Sequence, residues 1–98
     1  MTNELEARFW GLAETQTAGF GFAPDCESLT RNLIRRGVEE LTRQGLANNE
    51  FRIHEAEANL SRFLNAMTRE AMRLGLRQLH ENTFRAAMDS VCPIWPFC

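Results

Sequence analysis

The chain has 98 residues and a mass of 11.2 kDa, the size of one small domain. Hydrophobic residues make up 44% and charged residues 24%, a globular composition that excludes a chain disordered for want of apolar residues. The net charge is -2 and all 11 basic residues are arginine, which excludes a general nucleic-acid-binding field, so no nucleic-acid partner is expected.

The start, Met1-Thr2-Asn3-Glu4-Leu5-Glu6, lacks the basic-then-apolar pattern of a secretory signal. No stretch approaches the roughly 20 apolar residues of a membrane span. The expected setting is cytoplasmic, without a membrane partner. An odd number of cysteines excludes a full disulfide framework, and in a reducing compartment thiols are expected.

The first helix is expected over residues 1–16, capped by Thr2 or Asn3, with Glu4 and Glu6 favoured by the dipole of its first turn. Leu5, Phe9, Leu12 and Ala13 share one face. Residues 17–25 carry Gly19, Gly21 and Pro24, which break helix, so Phe20 or Phe22 is expected to plug the end of a helical core from a loop. Gly19-Phe20-Gly21 is no phosphate loop, since the third glycine, the Lys-Ser/Thr pair and a preceding strand are missing.

A second helix is expected over 26–47, with Asp25 as N-cap and Leu29, Leu33, Ile34, Val38, Leu41 and Leu46 as its apolar stripe. Its arginines have acidic neighbours at i,i+4: Glu27/Arg31, Arg35/Glu39, Arg36/Glu40 and Glu39/Arg43. That face reads as solvated. The third helix is expected over 49–80. Ile53, Leu60, Met67 and Leu74 recur every seven residues, the pattern of nearly parallel or antiparallel helix packing. A second stripe of Met72, Leu76 and Leu79 predicts deeper burial towards its end. Unbroken, this helix is roughly 46 Å long and would project from a domain whose radius of gyration is about 13 Å. The heptad is therefore expected to form a homodimer seam. A break at Gly75 or at His80–Thr83 is the alternative. A short helix over 82–91 and a non-helical tail over 92–98 complete an all-α bundle of three long helices and a short fourth. No segment alternates as a β-strand would.

Four groups of residues invite a chemical reading. Glu50, His54 and Glu57 form a helical metal half-site in which the order of the Glu-x-x-His motif is reversed, and the other histidine, His80, is 26 residues away. The bland reading is a solvated face of alternating charge. Arg62, Arg69, Arg73 and Arg77 form the basic stripe with the fewest acidic neighbours. It suits an anion or an acidic partner surface, unless it pairs with the acids of helix one. Cys26 follows a helix N-cap, where a thiol pKa falls, but no base can be assigned to it, so a small core residue is expected.

The fourth group is the tail, Cys92-Pro93-Ile94-Trp95-Pro96-Phe97-Cys98. Its prolines prevent helix, and it is too apolar for a frayed end. Three readings compete. Trp95 and Phe97 dock on the bundle or on a partner; Cys92 and Cys98 bind metal or haem or close a small ring; or the segment is the core of a modified peptide behind a helical leader.

No set of nucleophile, base and oxyanion donors can be assembled, and no cofactor is expected. The sequence therefore points to a non-catalytic interaction protein that meets a protein partner through a helical face, with Arg62, Arg69, Arg73, Arg77, Trp95 and Phe97 as contact residues. The alternatives are a precursor of a ribosomally synthesised modified peptide and a helical metal- or haem-binding protein.

Overall fold

The computed structural model describes the backbone of residues 2–92 and 94–97 and the side chains of 4–92 and 94–97. Four helices form in chain order: α1 (Thr2–Gln16), α2 (Pro24–Arg43), α3 (Glu50–Leu74) and α4 (Glu81–Ser90). The described residues contain no strand. A single parallel bridge joins Phe22 to Leu79.

Each boundary has a local cause. Pro24 opens α2 at its first turn, where its missing N–H and fixed φ cost nothing. Ala23 is the N-cap, so the expected cap, Asp25, stands inside the first turn instead. α2 ends at Arg43, earlier than expected, because Gly45 takes φ 72° and the Leu46 N–H reaches back to the Leu41 carbonyl at 2.7 Å. Asn49 caps α3, its side-chain oxygen accepting from the Arg52 N–H at 3.1 Å. Gly75, at φ 68°, ends α3 in a left-handed cap six residues before the expected 80. That end splits the second stripe: Met72 on α3 is 64% exposed, whereas Leu76 and Leu79, beyond it, pack on the core and Leu79 is fully buried. The tail expectation for Pro93 and Cys98, and the capping of α1 by Thr2 or Asn3 side chains, lie outside the described residues.

Around the bundle the order is α1, α2, α4, α3. Neighbours pack as α1 with α2, α1 with α3, α3 with α4 and α2 with α4. α2 and α3 therefore face each other diagonally, without close backbone contact among the described residues. The two loops at one end are stitched together: the Ala23 N–H donates to the Leu79 carbonyl and the Leu79 N–H to the Gly21 carbonyl, each at 3.0 Å. Asp25 adds a tie across the same end, accepting from the N–H of Cys26 at 2.7 Å and from that of Glu81 at 3.4 Å. One carboxylate thus serves the first turns of α2 and α4, where both dipoles favour negative charge.

The core takes one face of every helix: Leu5, Phe9 and Ala13 from α1, Ile34, Val38 and Leu41 from α2, Ile53, Leu60, Phe63, Leu64 and Met67 from α3, and Phe84 and Ala87 from α4. Ile53, Leu60 and Met67, expected at a dimer seam, are buried inside the single chain. The heptad is satisfied by α1 and α4 of the same molecule. Leu74 alone of that set stays out, 43% exposed. The break at Gly75 removes the second motive for a dimer, because α3 no longer projects. The radius of gyration is 12.9 Å.

Candidate interaction surfaces and the C-terminal anchor

At 10 residues, α4 is about 15 Å long, against about 37 Å for the 25 residues of α3. It can roof only part of the space between α2 and α3. The tail closes the rest through Trp95. The indole meets the ring of Phe9 edge-on, at 5.4 Å between centroids and 76° between planes. Its Nε1 donates to the Ala56 carbonyl at 2.7 Å. Its six-membered ring lies on the bare backbone of Gly37, where an added Cβ would stand 1.8 Å from Cζ3. A glycine in mid-helix costs roughly 1 kcal/mol relative to alanine, and here it makes the slot. Pro96 is buried and follows Trp95 through a cis peptide bond, with its carbonyl accepting from Asn59 Nδ2 at 2.8 Å. Phe97 packs against the core cluster. The space left between Leu33, Phe63, Met88 and Trp95 is only about 20 Å³.

The cysteines divide into two kinds. Cys26 is a free thiol, fully buried, 3.7 Å from the sulfur of Met67 and within reach of the Thr30 hydroxyl. Burial pushes its pKa up to about 11, the opposite of an activated nucleophile. Cys92 is exposed and disulfide-bonded, so the expectation of thiols throughout does not hold there. Cys98 lies outside the described residues.

The arginine stripe is divided by the fold. Arg62 sits beside the tail, hydrogen-bonded to the side-chain oxygen of Asn59. A separate groove of about 350 Å³ between α3 and α4 is lined by the exposed Arg69, Arg73 and Ser90 and the half-buried Ala66, Glu70 and Ala86. Arg73 pairs with Glu70 through Nε at 2.8 Å. Arg69 has no carboxylate partner among the described residues. Arg77 stands past the end of α3, in the connection to α4. Helix one does not neutralise this stripe: its Glu6 pairs instead with Arg35 of α2 at 3.4 Å.

Glu50, His54 and Glu57 do come together, around a cation that the sequence reading left out. Arg8 of α1 reaches Glu57 with Nε at 3.0 Å and Glu50 with Nη1 at 3.2 Å. His54 lies 3.1 Å from Glu57 and 3.5 Å from Glu50. The Arg8 guanidinium holds the Glu50 carboxyl below its ordinary range, and the two carboxylates hold the Arg8 pKa up. Each of the four carboxylate oxygens of Glu50 and Glu57 accepts a hydrogen bond from Arg8, so a metal ion there would have to meet or displace that positive charge. His80 is far off, its backbone bonded to the Thr83 hydroxyl at the start of α4. No group of three metal-ligating side chains suited to a metal ion is present among the described residues.

Two further features were missed by sequence reasoning. One is the Gly37 slot, whose only sequence signal is a glycine inside a strong helical stripe. The other is a cleft of about 440 Å³ between α1 and α2, lined by Trp10, Gly11, Arg31 and Arg35 among others. Arg31 stacks 4.0 Å over the Trp10 ring, and Phe22 packs 5.1 Å from the same ring. The aromatic loop plug is thus Phe22 on Trp10.

No described helix is long and apolar enough to cross a membrane. Comparison of the chain with protein-family models, with curated proteins and with solved structures finds no match.

Proposed function

We propose that this chain is a non-catalytic interaction protein that receives a carboxylate-bearing helix of a partner protein in the groove between α3 and α4. The observation that carries this reading is the lining of that groove, two half-buried alanines beside two exposed arginines. Ala66 and Ala86 let a helix backbone approach closely, and Arg69 presents a guanidinium with no carboxylate of its own, beside Arg73. A guanidinium fork binds a carboxylate in two parallel hydrogen bonds, which gives orientation as well as attraction. The exposed Met72, one turn from Arg69, extends the face with an adaptable apolar contact. The non-catalytic part of the reading rests on Cys26, whose thiol is buried and held protonated, and on His54, which is engaged by two carboxylates.

A homodimer through Ile53, Leu60 and Met67 would have to open the core, so the partner is proposed to be a different protein. The modified-peptide alternative has less support, because Trp95 and Pro96 are built into the bundle rather than presented to an enzyme.

The test is affinity purification of the tagged chain from its native cells, followed by intact-mass measurement and identification of co-purifying proteins. Wild type is compared with an Arg69→Glu/Arg73→Glu variant. The expected result is an intact chain and an acidic-helix partner lost on charge reversal. Recovery of a chain cleaved ahead of Cys92, or the same proteins from both variants, overturns the reading.

A further inference from the structure

The cleft between α1 and α2 lies apart from the α3–α4 groove. It holds about 440 Å³, within the roughly 300–1,000 Å³ usual for small-molecule sites. A second hollow of about 290 Å³ adjoins it, and Trp10, Glu14 and Arg31 border both. The charges around them do not cancel. Glu6 pairs with Arg35 across the cleft at 3.4 Å, and Glu27 holds the Arg31 Nε at 3.0 Å. Glu14 is exposed and has no hydrogen bond or ion pair among the described residues. One carboxylate is therefore left over, and the hollows together favour a cation. The aromatic surface selects the same charge. Trp10 stands one turn before Glu14 on the same side of α1. Its ring already carries the Arg31 guanidinium at 4.0 Å, so its face accepts a cation, and Phe22 packs beside it. Ile34 is buried beneath, and a Cβ built on Gly11 would meet nothing within 4 Å.

We propose that this cleft binds a small organic cation, an amine carried on a flat apolar body. The ammonium takes Glu14 as its counter-ion beside the Trp10 ring, and the apolar body covers the half-buried indole and the bare backbone of Gly11. A carboxylate ligand is disfavoured, because both arginines of the cleft already have acidic partners and Glu14 repels it. A polycation is disfavoured as well, because Glu14 is the single carboxylate of the two hollows left without a partner among the described residues. The site is independent of the α3–α4 groove and of any partner held there.

The probe is phenethylamine, titrated into the full isotope-labelled chain while NMR follows the Trp10 indole N–H and the Gly11 amide. Phenylacetate, of opposite charge, and butylamine, without a ring, are the controls. The expected result is saturable shifts at both signals with phenethylamine, and affinities roughly threefold to tenfold weaker for each control. Glu14→Gln should weaken phenethylamine by a similar factor. Gly11→Leu places a side chain where the cleft is open and favours helix, so it should weaken binding with the circular dichroism of the helices retained. Arg69→Glu/Arg73→Glu should bind the amine as wild type does. Four outcomes overturn the proposal: equal affinity for the three probes, shifts that do not saturate or that centre on Trp95, wild-type affinity in Glu14→Gln or Gly11→Leu, or loss of binding in the α3–α4 groove variant.

Discussion

The space between α2 and α3 is closed in two ways along its length. One part is roofed by α4, the other by a tail with no regular structure. α4 satisfies its own backbone, and its apolar side is spread over Phe84, which meets Phe63 edge-on at 5.1 Å, and Ala87. Among its described residues the tail has one internal backbone hydrogen bond, from Phe97 to Ile94, and Trp95 and Pro96 fasten it to Ala56 and Asn59. A helix distributes the work of covering a groove over several residues, whereas an irregular segment depends on a few complementary points. The α4 part should therefore behave as core, and the tail part as a latch that a single atom can open.

The largest test of that contrast is Phe84→Ala. Loss of a buried ring should cost about 3 kcal/mol and unfold α4 together with the rest of the domain. Denaturant melts followed by circular dichroism would show one transition at a lower midpoint. Two separate transitions would show that α4 is not integral to the core.

Alkaline pH probes the same part, since Cys26 lies in the core near Thr83 of α4. Its folded pKa, about 11, exceeds the ordinary 9.0. Between those values the unfolded chain has lost the thiol proton while the folded chain keeps it. The stabilisation is therefore intact below pH 9 and falls as pH rises, by about 2–3 kcal/mol at pH 11. Melts of wild type and Cys26→Ala across this range should diverge in slope, and parallel curves would refute the assignment.

For the tail, Trp95→Ala and Gly37→Ala form a cycle with a change of sign. Gly37→Ala alone places a methyl inside the indole and should cost about 1–2 kcal/mol net. In a Trp95→Ala background the same change should stabilise by about 1 kcal/mol, because only the helix propensity of alanine remains. Chemical denaturation of all four proteins measures the coupling, and additivity would show that Trp95 does not occupy the slot. Asn59→Ala, which removes the donor to the Pro96 carbonyl, should cost about 1 kcal/mol. At the small end, Arg69→Glu/Arg73→Glu should leave the melting temperature almost unchanged, because both side chains are exposed and the Arg73–Glu70 pair is a surface one. A larger loss in thermal melts would show that the groove arginines support the fold.

Much of the architecture could be read from residue order. The 3.6-residue spacing of Leu5, Phe9 and Ala13 and the stripe of α2 give the helices and their buried faces. Asn49 marks the start of α3 because capping is a local property, whereas Gly75 was readable only as one alternative to an end at residue 80. The heptad Ile53, Leu60 and Met67 was legible as a buried stripe but not as a choice of partner. The same spacing suits a second chain or the helices of its own, and only the turn at Gly75 and the return of α4 decide.

What tertiary structure alone decided is which distant residues share a point in space. Arg8 lies 42 positions from Glu50 and 49 from Glu57, and no periodicity on α3 announces that its carboxylates are already occupied. The arginine stripe is continuous along a helical wheel, yet α4 and the tail divide it between two grooves. Gly37 carries no local reason to be glycine until Trp95, 58 residues on, is laid against it. Helix formation depends on neighbours within about one turn, so the sequence by itself determined the helices and their apolar faces. Packing depends on how those faces meet, and that is settled only when the whole chain closes on itself.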